Sequence, residues 1–162
     1  MTFYLMHGVA GSGKSTLIRE CGLEEYSISP DNLRLEIAGT IIDENGIEVI
    51  SQEKNQQVWY LVYKEINKRM MRGDEIIILD ATNLGSLRSY RNMAKDFGYD
   101  LVVVDFKVPL EELLRRNTHE NRGIAMIPEE VTKRMYKRKQ TQSLKNYNVI
   151  SPEEFRALFM GV

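Results

Sequence analysis

The sequence predicts an α/β protein in which a parallel sheet of about four strands is flanked by helices. Short apolar runs alternate with longer segments of helical periodicity, the pattern of successive strand–helix units. Two of these runs, Ile76 to Asp80 and Leu101 to Asp105, are nearly continuous, as expected of strands buried on both faces. Neither a repeat nor a flexible linker divides the chain, so residues 1–162 are predicted to form a single domain.

The remaining elements follow from the same patterns. Strands are predicted at Phe3 to His7 and Tyr26 to Ser29, before the two runs already named. A long amphipathic helix is predicted over Ser51 to Arg72, because apolar side chains recur every three or four residues and Gly73 follows as a stop. Further helices are predicted before Gly98, over Pro128 to Lys139, and after the capping box Ser151 to Glu154.

A hairpin is predicted between the second strand and the long helix. The segment Ile41 to Val49 carries Asn45-Gly46 between β-branched residues. The Asn-Gly dipeptide favours a two-residue turn between antiparallel strands. The segment is therefore expected to be a surface ribbon.

Composition excludes several classes of protein. Hydrophobic residues make up 43% of the chain and charged residues 28%, which is typical of a globular domain rather than a disordered one. The single Cys21 cannot form an internal disulfide. The longest apolar run, Val58 to Tyr63, is far too short to span a membrane, and the N-terminus lacks a signal-peptide pattern. The protein is expected to be cytoplasmic, with no membrane partner.

Charge is unevenly spread, although the net charge is only −1. Residues 115–145 contain nine Lys and Arg against three Asp and Glu. This segment could form a local anion-binding face or simply a solvated helix face. For the basic helix that it contains, a solvated face and contact with a phosphate backbone are about equally supported. The basic residues of that helix are Lys133, Arg134, Lys137, Arg138 and Lys139.

The segment Gly8-Val-Ala-Gly-Ser-Gly-Lys-Ser15 is the strongest functional signal. It is a G-x-x-x-x-G-K-[ST] motif that follows a predicted strand and precedes a helical segment, as this phosphate-binding loop requires. Its glycines allow N–H groups to turn toward phosphate oxygens, and the helix beginning near Lys14 adds its positive end. A P-loop NTPase-type fold is therefore predicted. The predicted nucleotide-binding residues are Gly8, Gly11, Ser12, Gly13, Lys14, Ser15 and Thr16.

Two side chains are predicted to organise Mg²⁺ beside this loop. Ser15 offers its hydroxyl, and Asp80 ends an apolar strand where this architecture places a second carboxylate. An Asp at that strand end could instead cap the next turn. Lys14 is expected to bridge the β- and γ-phosphates. The chain has no N-K-x-D tetrad, which reads guanine, so ATP is favoured over GTP.

The acceptor side is predicted around Asp31 and Arg34, where the second strand ends and a helix begins. The two residues share a helix face, and parallel strands bring them to the same sheet edge as the phosphate loop. Asp31 could accept a proton from a substrate hydroxyl while Arg34 holds an anionic group of that substrate. Alternatively, Asp31 caps the helix and Arg34 is solvated.

A lid is predicted over residues 115–128, between two helices that follow the fourth strand. Mobile arginines can neutralise the negative charge of phosphoryl transfer when a site closes. Arg122, next to Gly123, is the best candidate in this loop.

In these segments the chain resembles the 5′-kinase domain of phage polynucleotide kinases, without the phosphatase domain that follows it in bifunctional relatives. The resemblance runs in order to about residue 138. It rests on Gly8 to Thr16, Ser29-Pro-Asp-Asn-Leu-Arg34, Leu79-Asp-Ala-Thr-Asn-Leu84, Val108-Pro-Leu-Glu-Glu-Leu-Leu-Arg-Arg-Asn117 and Arg122-Gly-Ile-Ala-Met-Ile-Pro128 followed by Met135-Tyr-Lys137.

The resemblance implies a role for each matching residue. Lys14 and Ser15 would act on ATP, Asp31 would be the general base toward the 5′-hydroxyl, and Arg34 would contact the 3′-phosphate of the acceptor nucleotide. It also implies that Asp80 supports the site and that Arg116 and Arg122, in the lid, engage the ATP phosphates. The hairpin around Asn45-Gly46 has no counterpart in the family, and no D-x-D-G-T phosphatase motif occurs.

Three functions remain open from the sequence. The first is transfer of the ATP γ-phosphate to the 5′-hydroxyl end of DNA or RNA. The second is a kinase of the same fold that acts on a small hydroxylated molecule, and the third is an ATP-gated binding module without transfer. His7 and His119 have no partners at metal-ligand spacing, so no zinc site is predicted.

Overall fold

The computed structural model describes residues 1–161 as two sheets and their surrounding helices. The strands are β1 (Thr2–His7), β2 (Ser27–Ile28), β3 (Thr40–Ile42), β4 (Glu48–Ile50), β5 (Ile76–Leu79), β6 (Asp100–Asp105) and β7 (Asn148–Ile150). The helices are α1 (Lys14–Glu20), α2 (Pro30–Ala38), α3 (Asn55–Arg72), α4 (Arg88–Phe97), α5 (Leu110–Arg116), α6 (His119–Arg122), α7 (Glu129–Thr141) and α8 (Pro152–Met160). No helix in this part of the chain is long and apolar enough to cross a membrane.

The main sheet is parallel and has the order β2-β5-β1-β6-β7. The predicted α/β class is confirmed, but the sheet contains five strands rather than about four. The additional strand is β7, which pairs with β6 at one edge, Val149 lying opposite Val103. Both partners of β1 are parallel, with Phe3 opposite Ile77 of β5 and Leu101 of β6.

Each face of the main sheet is covered by its own apolar core. Successive side chains of a strand point to opposite faces, so β1 contributes Phe3 and Leu5 to one core and Tyr4 and Met6 to the other. The first core is closed by the apolar stripe of α3, which includes Val58, Val62, Ile66 and Met70. The second core receives α1 and Phe155 of α8, whose ring contacts the ring of Tyr4 edge-on at 5.2 Å between centroids.

The predicted C-terminal ends of α3 and α4 and the predicted start of α8 agree with the observed caps. In contrast, α3 begins at Asn55 rather than at Ser51, and α7 spans Glu129–Thr141 rather than Pro128 to Lys139. Gly73 and Gly98 end α3 and α4 in the left-handed conformation that favours glycine. At the start of α8, Ser151 Oγ accepts from the backbone N–H of Glu154 while the Glu154 side chain accepts from Ser151 N–H, which completes the predicted capping box.

The predicted hairpin is present, but its turn differs from the prediction. Strands β3 and β4 form a separate antiparallel ribbon in which Asp43 N–H donates to Ile47 O and Gly46 N–H donates to Asp43 O. The loop therefore holds three residues, with Gly46 at φ +76°. A two-residue turn of the Asn-Gly type needs positive φ at both central residues, and Asn45 does not adopt it.

Candidate active site

The phosphate loop runs from the end of β1 to the first residue of α1. Gly11 and Gly13 adopt φ angles of +85° and +99°, which residues with a Cβ adopt only under strain. Gly8 is needed for space instead, since a Cβ there would lie 2.6 Å from Ser12 Oγ and 2.9 Å from Phe106 Cβ. Ser12 is buried, while Thr16 is exposed on the first turn of α1. The loop thus has the backbone shape that the sequence motif predicts.

The side chain of Asn117, a residue that no sequence motif indicated, contacts this loop from the end of α5. Its amide Nδ2 donates to Ala10 O at 2.7 Å and to Thr132 Oγ1 at 3.2 Å. A Cβ on Gly11 would overlap with Asn117 Oδ1. The contact joins residues 107 positions apart, so no local pattern in the sequence could have indicated it.

Lys14 lies within the loop and is only 8% exposed. Its Nζ donates to Gly8 O at 3.0 Å and Val9 O at 2.9 Å. Burial lowers the pKa of Lys14 to about 8, against the opposing effect of the nearby Asp80 carboxylate. To contact phosphate oxygens, the ammonium would exchange these carbonyl partners for anionic ones.

Ser15 and Asp80 are adjacent, as predicted. Ser15 Oγ donates to Asp80 Oδ2 at 2.6 Å. Burial raises the pKa of Asp80, while the Ser15 hydrogen bond and the Lys14 charge lower it. A hydroxyl and a carboxylate beside the phosphate loop are hard oxygen donors of the kind that Mg²⁺ prefers, so the two residues fit a magnesium ion that accompanies a nucleotide.

Asp31 and Arg34 are brought together on α2, whose N-cap is Ser29 rather than Asp31. Arg34 Nη1 donates to Asp31 Oδ1 at 2.6 Å. Arg34 Nε and Nη2 donate to Asn55 Oδ1 at 3.0 and 2.8 Å, and the guanidinium lies over the ring of Trp59. The alternative that Asp31 caps the helix and Arg34 is solvated is therefore wrong.

Arg116, the last residue of α5, contacts the phosphate loop, and Arg122, the last residue of α6, contacts Asn117. Arg116 Nη1 donates to Gly11 O at 3.1 Å, and Arg122 Nη1 donates to Asn117 Oδ1 at 2.9 Å. Burial lowers the pKa of Arg122, opposed by the charges of Asp31 and Asp80. The segment predicted as a loop around Arg122 is α6 followed by a 3₁₀ turn at Gly123–Ala125.

A single open cavity of about 1270 Å³ joins these groups. The phosphate loop, Asp31 and Asp80 line it, together with Arg116 of α5 and Arg122 of α6. Arg34 is not among its lining residues. The cavity thus brings together every residue that the sequence predicted for catalysis or nucleotide binding except Arg34 and Gly8.

The sequence did not predict a polar network around the buried His7 at the end of β1. His7, 1% exposed, hydrogen-bonds through Nδ1 to Asp105 Oδ1 at 3.0 Å and through Nε2 to Gln142 Oε1 at 2.8 Å. Lys139 Nζ donates to the same Asp105 oxygen at 2.7 Å. Lys139 is therefore neither solvated nor free to contact a phosphate backbone. Gln142 Nε2 donates to Gly85 O, so this network ties β1 and β6 to the end of α7.

Asp105→Asn is expected to destabilise the fold by about 3 kcal/mol at pH 7, because it leaves the Lys139 ammonium, whose side chain is only 15% exposed, without a carboxylate. Burial raises the pKa of Asp105, but hydrogen bonds from His7 and Lys139 lower it overall to about 2. The wild-type carboxylate thus contributes stability above about pH 4 that is lost as the pH falls toward 2, and the variant lacks this contribution.

Urea unfolding of both proteins between pH 7 and pH 3 measures this difference. Asp96→Asn, at an exposed Asp of α4, is the matched control. It should change neither the free energy of unfolding at pH 7 nor its dependence on pH. Equal stability of Asp105→Asn and the wild type at pH 7 would show that the network is not a stabilising unit.

Comparison with solved structures places the fold among P-loop kinases. A chain of the Pnkp1/Rnl/Hen1 complex is 27% identical, with a TM-score of 0.54. The alignment covers 72% of this protein but only 39% of that chain, so this protein spans well under half of its relative's length. A sugar kinase from Janibacter sp. HTCC2649 is 17% identical, with a TM-score of 0.59 and coverage of 100% and 95%.

Kti12 of Chaetomium thermophilum in complex with ADP-AlF3 is 18% identical over 99% of this protein and 94% of Kti12, with a TM-score of 0.60. The likeness to these two proteins establishes the fold alone. A family model described as an AAA domain matches residues 3–142. The match includes the phosphate loop, Asp31, Asp80 and both lid arginines, and the chain therefore belongs to this family of AAA domains, with a P-loop kinase-like fold.

Proposed function

We propose that this protein is an ATP-dependent 5′-hydroxyl polynucleotide kinase, which transfers the γ-phosphate of ATP to the 5′-end of DNA or RNA. The observation that carries the proposal is the Asp31–Arg34 pair, in which Asp31 lines the phosphate-loop cavity and Arg34 contacts it from outside the lining. A carboxylate that can take a hydroxyl proton lies beside a guanidinium that can hold a phosphate of the same acceptor. The 27% identity to a chain of the Pnkp1/Rnl/Hen1 complex supports this acceptor class.

The proposed reaction needs positioning and charge neutralisation more than covalent catalysis. The acceptor oxygen attacks the γ-phosphorus, the bond to the β–γ bridging oxygen breaks, and ADP leaves. Asp31 takes the proton from the acceptor hydroxyl. Lys14, Arg116 and Arg122 face the oxygens on which negative charge develops. Ser15 and Asp80 would hold Mg²⁺ when ATP is bound, and the ion would supply further neutralisation of the phosphate charge.

A small hydroxylated acceptor is the second candidate. It is kept as a candidate because this protein covers only 39% of the Pnkp1/Rnl/Hen1 chain, so that likeness alone does not carry the acceptor over to this protein. The cavity is open enough to admit either kind of acceptor. The Asp31 carboxylate would have the same role toward a sugar hydroxyl, so only the acceptor distinguishes the two functions.

Transfer of labelled γ-phosphate from Mg·ATP to a panel of acceptors tests the proposal. The panel contains 5′-hydroxyl DNA and RNA decamers, the matching 5′-phosphorylated decamers as controls, and small hydroxylated metabolites. Label on the 5′-hydroxyl decamers alone is expected. Label on a small metabolite and on no nucleic acid would establish the second candidate instead.

A further inference from the structure

Asp105 places a carboxylate in the wall of the phosphate-loop cavity. Burial raises its pKa, but hydrogen bonds from His7 and Lys139 lower the pKa to about 2, so the group is ionised at neutral pH. A nucleoside triphosphate carries several negative charges, and a carboxylate in the same cavity repels them. The charges around Asp105 therefore decide whether this side of the cavity favours or opposes a nucleotide.

Three basic side chains lie near this carboxylate. His7 Nδ1 lies 3.0 Å from Asp105 Oδ1, and Lys139 Nζ donates to the same oxygen at 2.7 Å. Lys107 Nζ lies 4.0 Å from Asp105 Oδ2, but its side chain is 83% exposed and solvent screens its charge. Lys139 alone neutralises Asp105. The protonation state of His7 therefore determines whether the enclosed group is neutral or positive.

Gln142 requires a proton on Nε2 of His7. The amide nitrogen of Gln142 donates to Gly85 O at 2.8 Å and to Asn83 O at 3.3 Å, and both of these carbonyl oxygens can only accept. The amide oxygen of Gln142 is thereby turned toward His7, at 2.8 Å from Nε2. Because an amide oxygen also only accepts hydrogen bonds, His7 Nε2 has to be the donor.

Asp105 requires a second proton, on Nδ1 of His7. An ionised carboxylate has no hydrogen to donate, and Oδ1 of Asp105 already accepts from Lys139, so His7 Nδ1 has to donate as well. An imidazole that donates from both nitrogens is an imidazolium with a positive charge. A neutral imidazole would leave one buried acceptor facing a ring nitrogen with no proton between them, which is costly.

His7 is joined to the phosphate loop through the backbone. It is the last residue of β1, and Gly8, the first residue of the loop motif, follows it. Phe106 N–H donates to His7 O at 2.8 Å, and Lys14 Nζ donates to Gly8 O at 3.0 Å. Backbone pairing of β1 with β6, together with the two ring contacts, therefore fixes the imidazole relative to the phosphate-binding amides.

We propose that His7 is a buried imidazolium that, with Lys139, outweighs the charge of Asp105 and thereby favours binding of the ATP phosphates. Two cations then stand against one carboxylate, so this wall of the cavity attracts a polyanion instead of being neutral toward it. His7 contacts Asp105 rather than the nucleotide site itself and is a positioning residue. The inference deepens the nucleotide side of the proposed function, rests on ATP as the ligand, and does not depend on the acceptor.

Imidazole ¹⁵N spectra of the labelled protein at pH 7 detect both protons of His7 directly. The chain has one other histidine, His119, and His119→Gln identifies its signals by removing them. Both ring nitrogens of His7 are expected to resonate as protonated nitrogens. One unprotonated ring nitrogen in His7 at pH 7 would overturn the inference, and this measurement needs no variant at the network itself.

Gln142→Met removes the acceptor that requires the Nε2 proton and keeps a side chain of similar length. In this variant His7 Nε2 is expected to appear as an unprotonated nitrogen, while Nδ1 continues to donate to Asp105. Gln140→Met, at an exposed position of α7, is the matched control and should keep both ring protons. A role of His7 in packing alone would not produce this difference between the two spectra.

Calorimetric titration with Mg·ATP measures the effect of the charge on binding without any acceptor. Loss of one positive charge at this distance is expected to raise the Kd for Mg·ATP roughly tenfold in Gln142→Met, while Gln140→Met binds as the wild type does. His7→Asn, which offers Asp105 an amide donor without a charge, is the second variant and should weaken binding to a similar extent. Wild-type affinity in a folded His7→Asn protein would contradict the proposed role of the imidazolium.

The two measurements also separate this inference from the proposed function. Mg·ATP binding that weakens in Gln142→Met and His7→Asn, in a protein that transfers phosphate to no 5′-hydroxyl, would support the imidazolium and overturn the polynucleotide kinase assignment. Transfer to 5′-hydroxyl ends by a protein whose His7 carries a single ring proton would overturn the imidazolium and leave the kinase assignment intact.

Discussion

Asp31→Asn is expected to lower kcat for a 5′-hydroxyl acceptor by roughly 10²–10⁴-fold, with little change in KM. The amide has nearly the shape of the carboxylate but cannot accept the proton of the attacking hydroxyl. Arg34 should stay in place, because Asn55 Oδ1 accepts from two of its nitrogens and Trp59 lies beneath it. Steady-state transfer of labelled γ-phosphate measures both constants.

Glu36→Gln is the matched control for this substitution. Glu36 is exposed on the same helix and lies outside the phosphate-loop cavity, so the variant makes the same change of charge without touching the site. It should retain the wild-type kcat. Near-normal turnover by a folded Asp31→Asn protein would remove the general-base assignment.

Lys14→Met is expected to lower kcat/KM by roughly 10²–10³-fold, because it removes the cation that would contact the phosphate oxygens once ATP is bound. Methionine fills most of the volume of the buried lysine stem, so the loop should keep its shape. The measurement is again transfer from labelled ATP. Turnover close to that of the wild type would show that Lys14 is a structural part of the loop rather than a ligand of the phosphates.

The pH dependence of stability checks that Lys14→Met is folded and that the lysine is buried as described. The pKa of Lys14 is about 8 in the folded protein, against 10.5 as its ordinary value. Between these values the unfolded chain binds the additional proton, so the free energy of unfolding rises with pH across this window. The methionine variant should lack that rise, and urea unfolding at pH 7.5 and pH 10 tests it.

The parts of the site that the sequence predicts depend on interactions between residues that are close together in the chain. The phosphate loop follows from glycine spacing and from the strand and helix on either side of it. The pairing of Asp31 with Arg34 follows from three-residue spacing on a helix. Buried parallel strands follow from continuous apolar runs, which is why β5 and β6 were predicted within one residue of their observed ends.

The parts that the sequence does not predict depend on contacts between distant residues. Strand β7 has only three residues and no apolar run, and it exists because β6 offers it a pairing edge. Asn117 carries no motif and is identified only by its hydrogen bond to Ala10. The sequence pattern around Lys139 predicts a basic surface helix. It does not indicate that the ammonium of Lys139 donates a hydrogen bond to Asp105 in the fold.

The network around His7 also constrains how this chain can vary. One carboxylate, Asp105, serves both His7 and Lys139, and Gln142 is oriented by backbone carbonyls so that its oxygen faces the same imidazole. Removing one member leaves its partners with unmet hydrogen bonds in a region that is largely enclosed, so single changes at these positions are expected to cost more than their combined replacement. The residues at positions 7, 105, 139 and 142 are therefore expected to covary among related sequences.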